Sequence, residues 1–177
     1  IGTPQGSEIL LRPYRNQLYK FFASTILSHS DCITVDSIHM KSNISNFSKT
    51  NVKLVQNGID TSFFINCSMN SKIVPICSIR GLTSLYRIEQ IFLSRNSYLP
   101  DIPITTVSPF QKDEYYNYVH SLSLDGDAFR SNLVKSDFAN LLGQTLLVVS
   151  IPSSDSSPRS VYEAIFAGAF VATTYLP

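Results

Sequence analysis

Apolar and polar positions fall into blocks near the carboxyl end of the chain, and these blocks predict a strand–loop–helix–strand unit. Residues 146–151 form a short aliphatic run that is typical of a buried strand. A polar loop, residues 152–157, ends in a candidate N-cap serine, and Pro158 stands where the first helical residue is expected. Gly168 can close that helix in the left-handed conformation. Residues 170–173 then form the next apolar run, so the unit is typical of parallel α/β proteins.

The same alternation of apolar runs and helical stripes continues through the rest of the chain. A turn after the end of a strand is predicted at residues 6–11. Further strands are predicted at residues 31–37, 52–55, 73–79, 104–107 and 118–122. Helices are predicted at residues 14–27, 85–92 and 138–142. This order of elements predicts an α/β fold, with a Rossmann-like parallel sheet flanked by helices.

Three features of the sequence predict which elements are buried and which lie at an edge or on the surface. The helix at residues 14–27 has one apolar stripe, which predicts a core helix rather than a partner-binding or membrane helix; its members are Leu18, Phe21, Phe22 and Ile26. Pro75 removes a ladder hydrogen bond from the strand at residues 73–79, so an edge or irregular strand is expected there. Four acids in loop-like settings are interpreted as solvated surface, namely Asp113, Glu114, Asp125 and Asp127.

Composition and charge narrow the class of protein. The chain has 177 residues, which allows one domain or parts of two. Hydrophobic residues make up 44% and charged residues 15%, as expected of a packed α/β protein. Fourteen basic and 13 acidic residues give a net charge of +1, which argues against nucleic acid as a partner. No apolar run reaches the roughly 20 residues that span a bilayer, and no signal peptide is evident. Three scattered cysteines indicate reduced thiols and a cytoplasmic location.

Two acids in the carboxyl-terminal unit are candidates for chemistry. Asp155 lies in the loop before the predicted helix, and Glu163 lies in the second turn of that helix, with seven residues between them. Both can face the crevice at the carboxyl ends of the strands, where open α/β sheets bind ligands. The N–H groups at the helix start can bind an anion such as phosphate. An ordinary helix-start acid and an exposed helical glutamate remain the alternative, since acids are common at helix N-termini.

These residues resemble the retaining GT-B glycosyltransferases of the family-4 type. The acid–seven residues–Glu motif of that family is matched by Asp155 and Glu163, and the positions after it are matched by Ala164, Ala167, Gly168 and Val171. The chain departs from the family at Ile165, Phe166 and Phe170, which are apolar replacements. Earlier segments also resemble the family: Gly-Ser-Glu-Ile at residues 6–9, Asn-Gly-Ile-Asp at residues 57–60, and an arginine after a strand at Arg80.

The resemblance implies a role for each candidate residue. Glu163 is expected to hydrogen-bond the ribose of a nucleotide-sugar donor, and Asp155 is expected to be catalytic, holding hydroxyls of the donor sugar. Arg80 and, less clearly aligned, Arg87 are expected to bind the donor diphosphate, because preorganised cations stabilise the leaving group. Ser156 and Ser157 are expected to offer backbone N–H groups beside the sugar. The family needs no cofactor beyond the nucleotide sugar, and no Asp-x-Asp metal pair is found, so transfer is expected to be metal-independent.

The resemblance also implies a division of the chain and a set of partners. Residues 1–66 match the later part of an acceptor-side domain and residues 67–177 match the donor-binding domain, with the boundary in a polar segment. The implied activity is transfer of a hexose-like sugar from UDP or GDP, in carbohydrate biosynthesis, to a saccharide, lipid or protein acceptor; peripheral membrane association stays open. A non-catalytic nucleotide-sugar-binding or structural relative of the same fold is the alternative function.

Overall fold

The chain forms two compact units in the computed structural model, which describes residues 1–65, 71–109 and 113–175. Unit 1 comprises Ile1–Gly58 and the distant segment Ser154–Pro158. Unit 2 comprises Ile59–Ser153 and Arg159–Tyr175. The polar segment in which the sequence predicts a domain boundary lies largely outside the described residues, so that boundary stays a prediction.

Among its described residues, unit 1 contains two parallel strands and four helices. The helices α1 to α4 span Gly6–Leu10, Arg12–Arg15, Gln17–Ser28 and Ile38–Ile44. The strands β1 and β2 span Ile33–Val35 and Val52–Leu54 and pair in register Ile33 with Val52, while Gly2 forms a bridge to Ile33. The core of unit 1 lies between these elements and consists of Ile9, Leu27, Ile33, Val35, Met40, Ile44 and Phe47.

The segment at residues 6–11 forms a helix and not the predicted strand end and turn. The backbone N–H of Gln5 donates to Glu8 Oε2 at 2.9 Å, so the side chain three positions on satisfies a donor at the helix start. Ile9 is 2% exposed and belongs to the core, so its burial stabilises the helical turn. A five-residue helix carries too little periodicity to be recognised in the sequence.

The prediction that α3 buries its apolar stripe is wrong. Leu27 is the residue of α3 that is fully buried, and the smaller Ala23 and Ser24 are half-buried. The four residues of the stripe are 54% to 67% exposed: Leu18, Phe21, Phe22 and Ile26. Helical periodicity identifies the helix but does not reveal which of its sides the chain covers.

Unit 2 contains five strands and four α-helices among its described residues. The strands β3 to β7 span Val74–Ser78, Ile104–Ser108, Ala128–Ser131, Thr145–Ser150 and Phe170–Thr173. The helices α5 to α8 span Ile88–Tyr98, Glu114–Ser121, Lys135–Gln144 and Arg159–Phe166. Short 3₁₀-helices span Thr61–Phe63 and Ser84–Tyr86.

The strands of unit 2 form one parallel sheet in the order β5-β4-β3-β6-β7. The chain therefore runs outward from β3 in one direction, returns, and runs outward from β6 in the other. This reversal places a topological switch point between β3 and β6, where the carboxyl ends of the strands open a crevice. The observed sheet confirms the predicted fold class.

Helices on both sides of this sheet enclose two apolar clusters. One contains the buried residues Phe64, Cys77, Ile79, Ala139, Leu141, Leu142, Val148, Ala164, Ala167 and Ala169. The other contains Leu82, Ile88, Ile91, Phe92, Ile104 and Val119. The sheet is thus covered by apolar side chains, as an all-parallel sheet requires.

Pro75 lies in β3, the central strand, and not in the predicted edge strand. Pairing of β3 with β4 begins at Ile76, so the proline precedes the part of the strand that needs donors on that side. Pro75 therefore lies outside the β3–β4 ladder, although pairing of β3 with β6 already begins at Val74.

Four residues of the predicted strand at 118–122 lie in helix α6, and the fifth, Leu122, is the C-cap of that helix. Asp113 caps this helix, because its Oδ1 accepts a hydrogen bond from the backbone N–H of Tyr116 at 2.8 Å. Val119 is fully buried on the inner side of the helix. Aromatic and β-branched residues suggested a strand here, but the cap and this packing favour a helix.

Asp127 is buried, which corrects its interpretation as a solvated acid. Its side chain is 1% exposed and pairs with Arg95, whose side chain is 2% exposed. Its two carboxylate oxygens also accept the backbone N–H groups of Ile104 and Leu124 at 2.7 and 2.8 Å. The acid therefore joins α5 to the turn before β5.

Across the described ranges, none of the helices combines the length and apolar character needed to cross a membrane.

Candidate functional site

The β6–α8–β7 segment forms as the sequence predicts. Pro158 directly precedes α8, and Gly168 follows it with a φ of 77°. The N–H of Gly168 donates to Ile165 and that of Ala169 donates to Ala164, both at 3.0 Å, which closes the helix end. The proline before α8 and the glycine after it thus define the ends of the helix that carries Glu163.

Glu163 lies on the inner side of α8 and is 6% exposed. Its Oε1 forms an ion pair with Lys135 Nζ at the start of α7, and the lysine side chain remains 38% exposed. Lys135 also lies against two aromatic rings, 5.2 Å from the centroid of Phe64 and 5.7 Å from that of Phe138. A buried carboxylate with a single flexible cation at its open side can exchange that partner for ligand hydroxyl groups.

Arg80 lies two residues after the end of β3 and is 9% exposed. Its guanidinium stacks over the ring of Tyr86, 4.4 Å from the centroid. Its Nη1 donates to Ser160 Oγ on α8 at 3.2 Å. Ser160 and Glu163 are three positions apart on α8, so they share one side of the helix. Unit 2 therefore brings two predicted donor-binding residues, Arg80 and Glu163, to the same helix beside the switch point.

Arg87 is engaged by main-chain groups at the end of β6. Its Nε donates to the carbonyl of Ile151 at 2.7 Å, and its Nη2 donates to that of Pro152 at 2.9 Å. Its backbone is left-handed, with φ 50° and ψ 41°, at the junction between the 3₁₀-turn and α5. Arg87 thus holds the chain after β6, and its predicted contact with a diphosphate stays a prediction.

Two serine hydroxyls end the strands at the switch point. Ser78 closes β3 and Ser150 closes the neighbouring β6, and both residues are at most 1% exposed. Neither Oγ has a hydrogen-bond partner among the residues that the structure describes. The carboxyl edge of the sheet is therefore polar at its centre, in addition to the guanidinium of Arg80.

The loop that carries the other three predicted residues belongs to unit 1. Asp155 Oδ1 accepts the backbone N–H of Ser156 at 2.9 Å. Ser156 Oγ donates to Asp36 Oδ2 at 3.1 Å. Ser157 is 6% exposed, and its carbonyl accepts Asn57 Nδ2 at 3.5 Å. The N–H of Ser156, predicted to face a sugar, is thus used by the neighbouring carboxylate.

Four residues at these positions escaped the sequence reasoning. Lys135, Tyr86 and Ser160 contact the predicted donor-binding residues of unit 2, and Asp36 contacts the Asp155 loop in unit 1. Each lies far along the chain from the residue it contacts, or carries no motif of its own. Only the position of Ser160, one helical turn before Glu163, offered a signal in the sequence.

Within the described ranges, no group of three or more His, Cys, Asp or Glu residues is placed to hold a metal ion. Metal-independent chemistry remains an expectation from the resemblance.

Solved structures similar to this chain have low sequence identity to it. Anabaena HepE in complex with UDP-glucose superposes with a TM-score of 0.77 at 15% identity, over 97% of this chain and 52% of that one. Sucrose-phosphate synthase from Thermosynechococcus elongatus gives 0.76 at 15%, over 94% and 46%. The pneumococcal O-GlcNAc transferase GtfA, in complex with UDP and GlcNAc, gives 0.74 at 12%, over 99% and 37%.

Neither a protein-family model nor a curated protein sequence matches the chain. The chain spans about half, or less, of the length of these similar structures. At such identities the likeness establishes the fold and not the activity. The fold is the Rossmann-like α/β arrangement of the GT-B glycosyltransferases.

Proposed function

We propose that this chain binds a nucleoside-diphosphate sugar and forms part of a retaining, metal-independent glycosyltransferase of the family-4 type. The observation that carries the proposal is the convergence of Arg80 and Glu163 on α8, at the switch point of the sheet. An arginine after β3 suits a diphosphate, and a buried carboxylate one turn along the same helix suits ribose hydroxyls. HepE and GtfA, which share the fold, have structures with bound UDP-glucose and with UDP and GlcNAc, respectively.

The proposal assigns chemistry to this chain's own groups. Arg80 neutralises charge that develops on the leaving diphosphate, and its stacking on Tyr86 preorganises it for that role. Glu163 accepts hydrogen bonds from the ribose after Lys135 moves aside, and Lys135 then adds positive charge beside the nucleotide. Asp155 holds the donor sugar and steadies positive charge at the anomeric carbon. Ser157 and Arg87 are secondary hydrogen-bond donors to the ligand in this scheme, and Ser156 contributes by holding the Asp155 carboxylate with its N–H.

The experiment is isothermal titration of the purified chain with UDP, GDP and their hexose sugars, beside a Glu163→Gln variant. The amide keeps the shape of the carboxylate but loses its charge. A hydrogen bond to a charged group contributes about 1.5–3 kcal/mol, so Kd should rise about ten- to a hundredfold.

Glu114→Gln is the matched control, since Glu114 is an exposed acid at the start of α6 in the same unit. Its affinity should equal that of the wild type. Arg80→Lys should also weaken binding, because an ammonium group lacks the planar fork. Equal affinity of the wild type and Glu163→Gln for every nucleotide, or no binding by either, would refute the proposal.

A non-catalytic nucleotide-sugar-binding relative is the second candidate. The occupation of Arg87 by two main-chain carbonyls favours it, since that arginine is then committed to structure. Release of nucleoside diphosphate from a nucleotide sugar, with or without an acceptor saccharide, separates the two. Binding without any release would favour the second candidate.

Location and partners complete the proposal. We propose that the protein acts in the cytoplasm, in carbohydrate biosynthesis; the free thiols Cys32 and Cys77 are compatible with a reducing compartment. The acceptor is a saccharide, lipid or protein. The exposed stripe of α3 keeps peripheral membrane association among the proposals.

A further inference from the structure

The loop Ser154–Pro158 is tied to unit 1 by side chains that lie far from it in the sequence. Asp36 Oδ2 accepts hydrogen bonds from Ser156 Oγ at 3.1 Å and from Asn57 Nδ2 at 3.0 Å. The sequence separations from Ser156 to Asp36 and from Asn57 to Ser157 are 120 and 100 residues. One carboxylate oxygen is therefore the meeting point of the loop and of the segment after β2.

Asp36 is itself held in a defined place. It lies between the end of β1 and Ser37, whose Oγ accepts the N–H of Met40 at 3.2 Å and caps α4. Its second oxygen, Oδ1, is buried and has no hydrogen-bond partner among the described residues. A carboxylate that has lost part of its solvation depends on the donors that remain, so the bonds to Ser156 and Asn57 are strong constraints.

The close approach of Gly6 adds a second contact between the loop and the rest of unit 1. A Cβ at Gly6 would lie 3.1 Å from Ser156 Oγ and 3.4 Å from Ser156 Cβ, so a larger residue would press directly on the serine. Ser156 is thus confined by the close approach of Gly6 and held by its hydrogen bond to Asp36.

From these contacts we infer that Asp36 is the positioning residue for Asp155. Asp155 Oδ1 accepts the N–H of Ser156, so the orientation of the carboxylate follows that of the anchored serine. Asp36 acts through Ser156 and touches no reacting atom. The structural inference stands on the contacts alone, whereas its consequence for turnover rests on the proposed function of Asp155.

The test is a double-mutant cycle with Asp36→Ala and Ser156→Ala, read by hydrogen exchange of the peptide that spans the loop. Each single variant should accelerate exchange of the Ser156 and Ser157 amides about ten- to a hundredfold, as expected for a lost charge-assisted hydrogen bond. The double variant should exchange no faster than Asp36→Ala, because both changes remove the same bond. Asp36→Asn, which keeps one oxygen acceptor, should restore slow exchange in part.

Asp31→Ala is the matched control, since Asp31 is an exposed acid before β1 in the same unit. It should leave the exchange of the loop unchanged. Multiplicative effects in the double variant, or equal exchange in Asp36→Ala and Asp31→Ala, would overturn the inference. If Asp36→Ala does not fold, Ser156→Ala and Asn57→Ala replace it as the test. Unaccelerated exchange of the loop in both variants would overturn the inference.

Turnover provides a readout that a merely structural role would not move. Where the chain releases nucleoside diphosphate, Asp36→Ala should lower kcat at least about tenfold while KM for the donor changes less than about twofold, since Arg80 and Glu163 are untouched. Equal loss in both constants would contradict positioning. Failure of nucleotide binding would sink the proposed function and leave the exchange result standing, so the two proposals fail separately.

Discussion

Removal of the Asp127 carboxylate is expected to be the most damaging change among the acids of unit 2. Asp127→Ala would leave the Arg95 guanidinium, whose side chain is 2% exposed, without its counter-charge. Breaking a buried ion pair in this way costs about 3–5 kcal/mol. It would also strand the backbone N–H of the buried Ile104, at a cost of about 1–3 kcal/mol, whereas the N–H of the exposed Leu124 can bond water instead.

These contributions are not additive, but together they set a loss of at least about 4 kcal/mol. Against a typical total of about 5–15 kcal/mol, that loss should leave unit 2 partly unfolded at 37 °C. Arg95→Met should cost less by at least about 1 kcal/mol, because Asp127 would keep both backbone donors. The two variants differ in cost because Asp127, and not Arg95, accepts the backbone hydrogen bonds of Ile104 and Leu124.

The assay is equilibrium unfolding in urea, followed by far-UV circular dichroism and tyrosine fluorescence, since the chain has no tryptophan. Asp125→Ala is the control, an exposed acid two positions earlier, and its effect should stay within about 0.5 kcal/mol. The reasoning is refuted if Asp127→Ala and Asp125→Ala unfold at the same urea concentration, or if Arg95→Met proves the more destabilising variant.

Three further predictions concern stability and reactivity. Gly168→Ala should lower the melting temperature and cost about 1 kcal/mol or more of stability, because φ is 77° at this position. Gly81→Ala is the control and should not lower it, since a Cβ at Gly81 meets nothing closer than 3.6 Å. Burial raises the pKa of the Cys77 thiol to about 12 from an ordinary 9.0. Because the unfolded thiol ionises first, stability relative to Cys77→Ala should fall above about pH 9, by up to about 1.4 kcal/mol per pH unit, in urea titrations at several pH values. Phe21→Ser, at a residue 64% exposed, should leave the urea midpoint unchanged, while Leu27→Ala, at 4% exposed, should cost about 2–5 kcal/mol; equal shifts would contradict the assignment of sides in α3.

Elements were predicted correctly where a glycine or proline marks their ends and an apolar run marks their burial. The strand at residues 170–173 was predicted at its observed bounds, because an apolar run followed a glycine that ends a helix. The helix with Glu163 was likewise predicted, since Pro158 marks its start. In α6 and α1, short elements were misassigned because a single cap and one buried side chain outweighed residue propensity.

The sequence singled out individual residues of the candidate site, whose roles stay predictions, but not the side chains that contact them. The acid–seven residues–Glu motif singled out Glu163, and a position after a predicted strand singled out Arg80. Unit 2 does bring these two residues to one helix. The ion pair to Lys135 and the bond from Ser156 to Asp36 depend on how distant segments pack, and no local pattern encodes a contact across 28 or 120 residues. Tertiary contacts of this kind also decided the burial of Asp127, whose flanking turn looks solvated in the sequence.

Arg87 shows how a single side chain can justify an uncomfortable backbone. A glycine would adopt its left-handed conformation more easily, yet it could not reach the carbonyls of Ile151 and Pro152, 64 and 65 residues away. The local strain is therefore offset by these two hydrogen bonds, which form a clasp between the segment that follows β3 and the segment that follows β6. Replacement by glycine would ease the bend and open the clasp, so the two effects would oppose each other in stability while the chain after β6 lost its anchor.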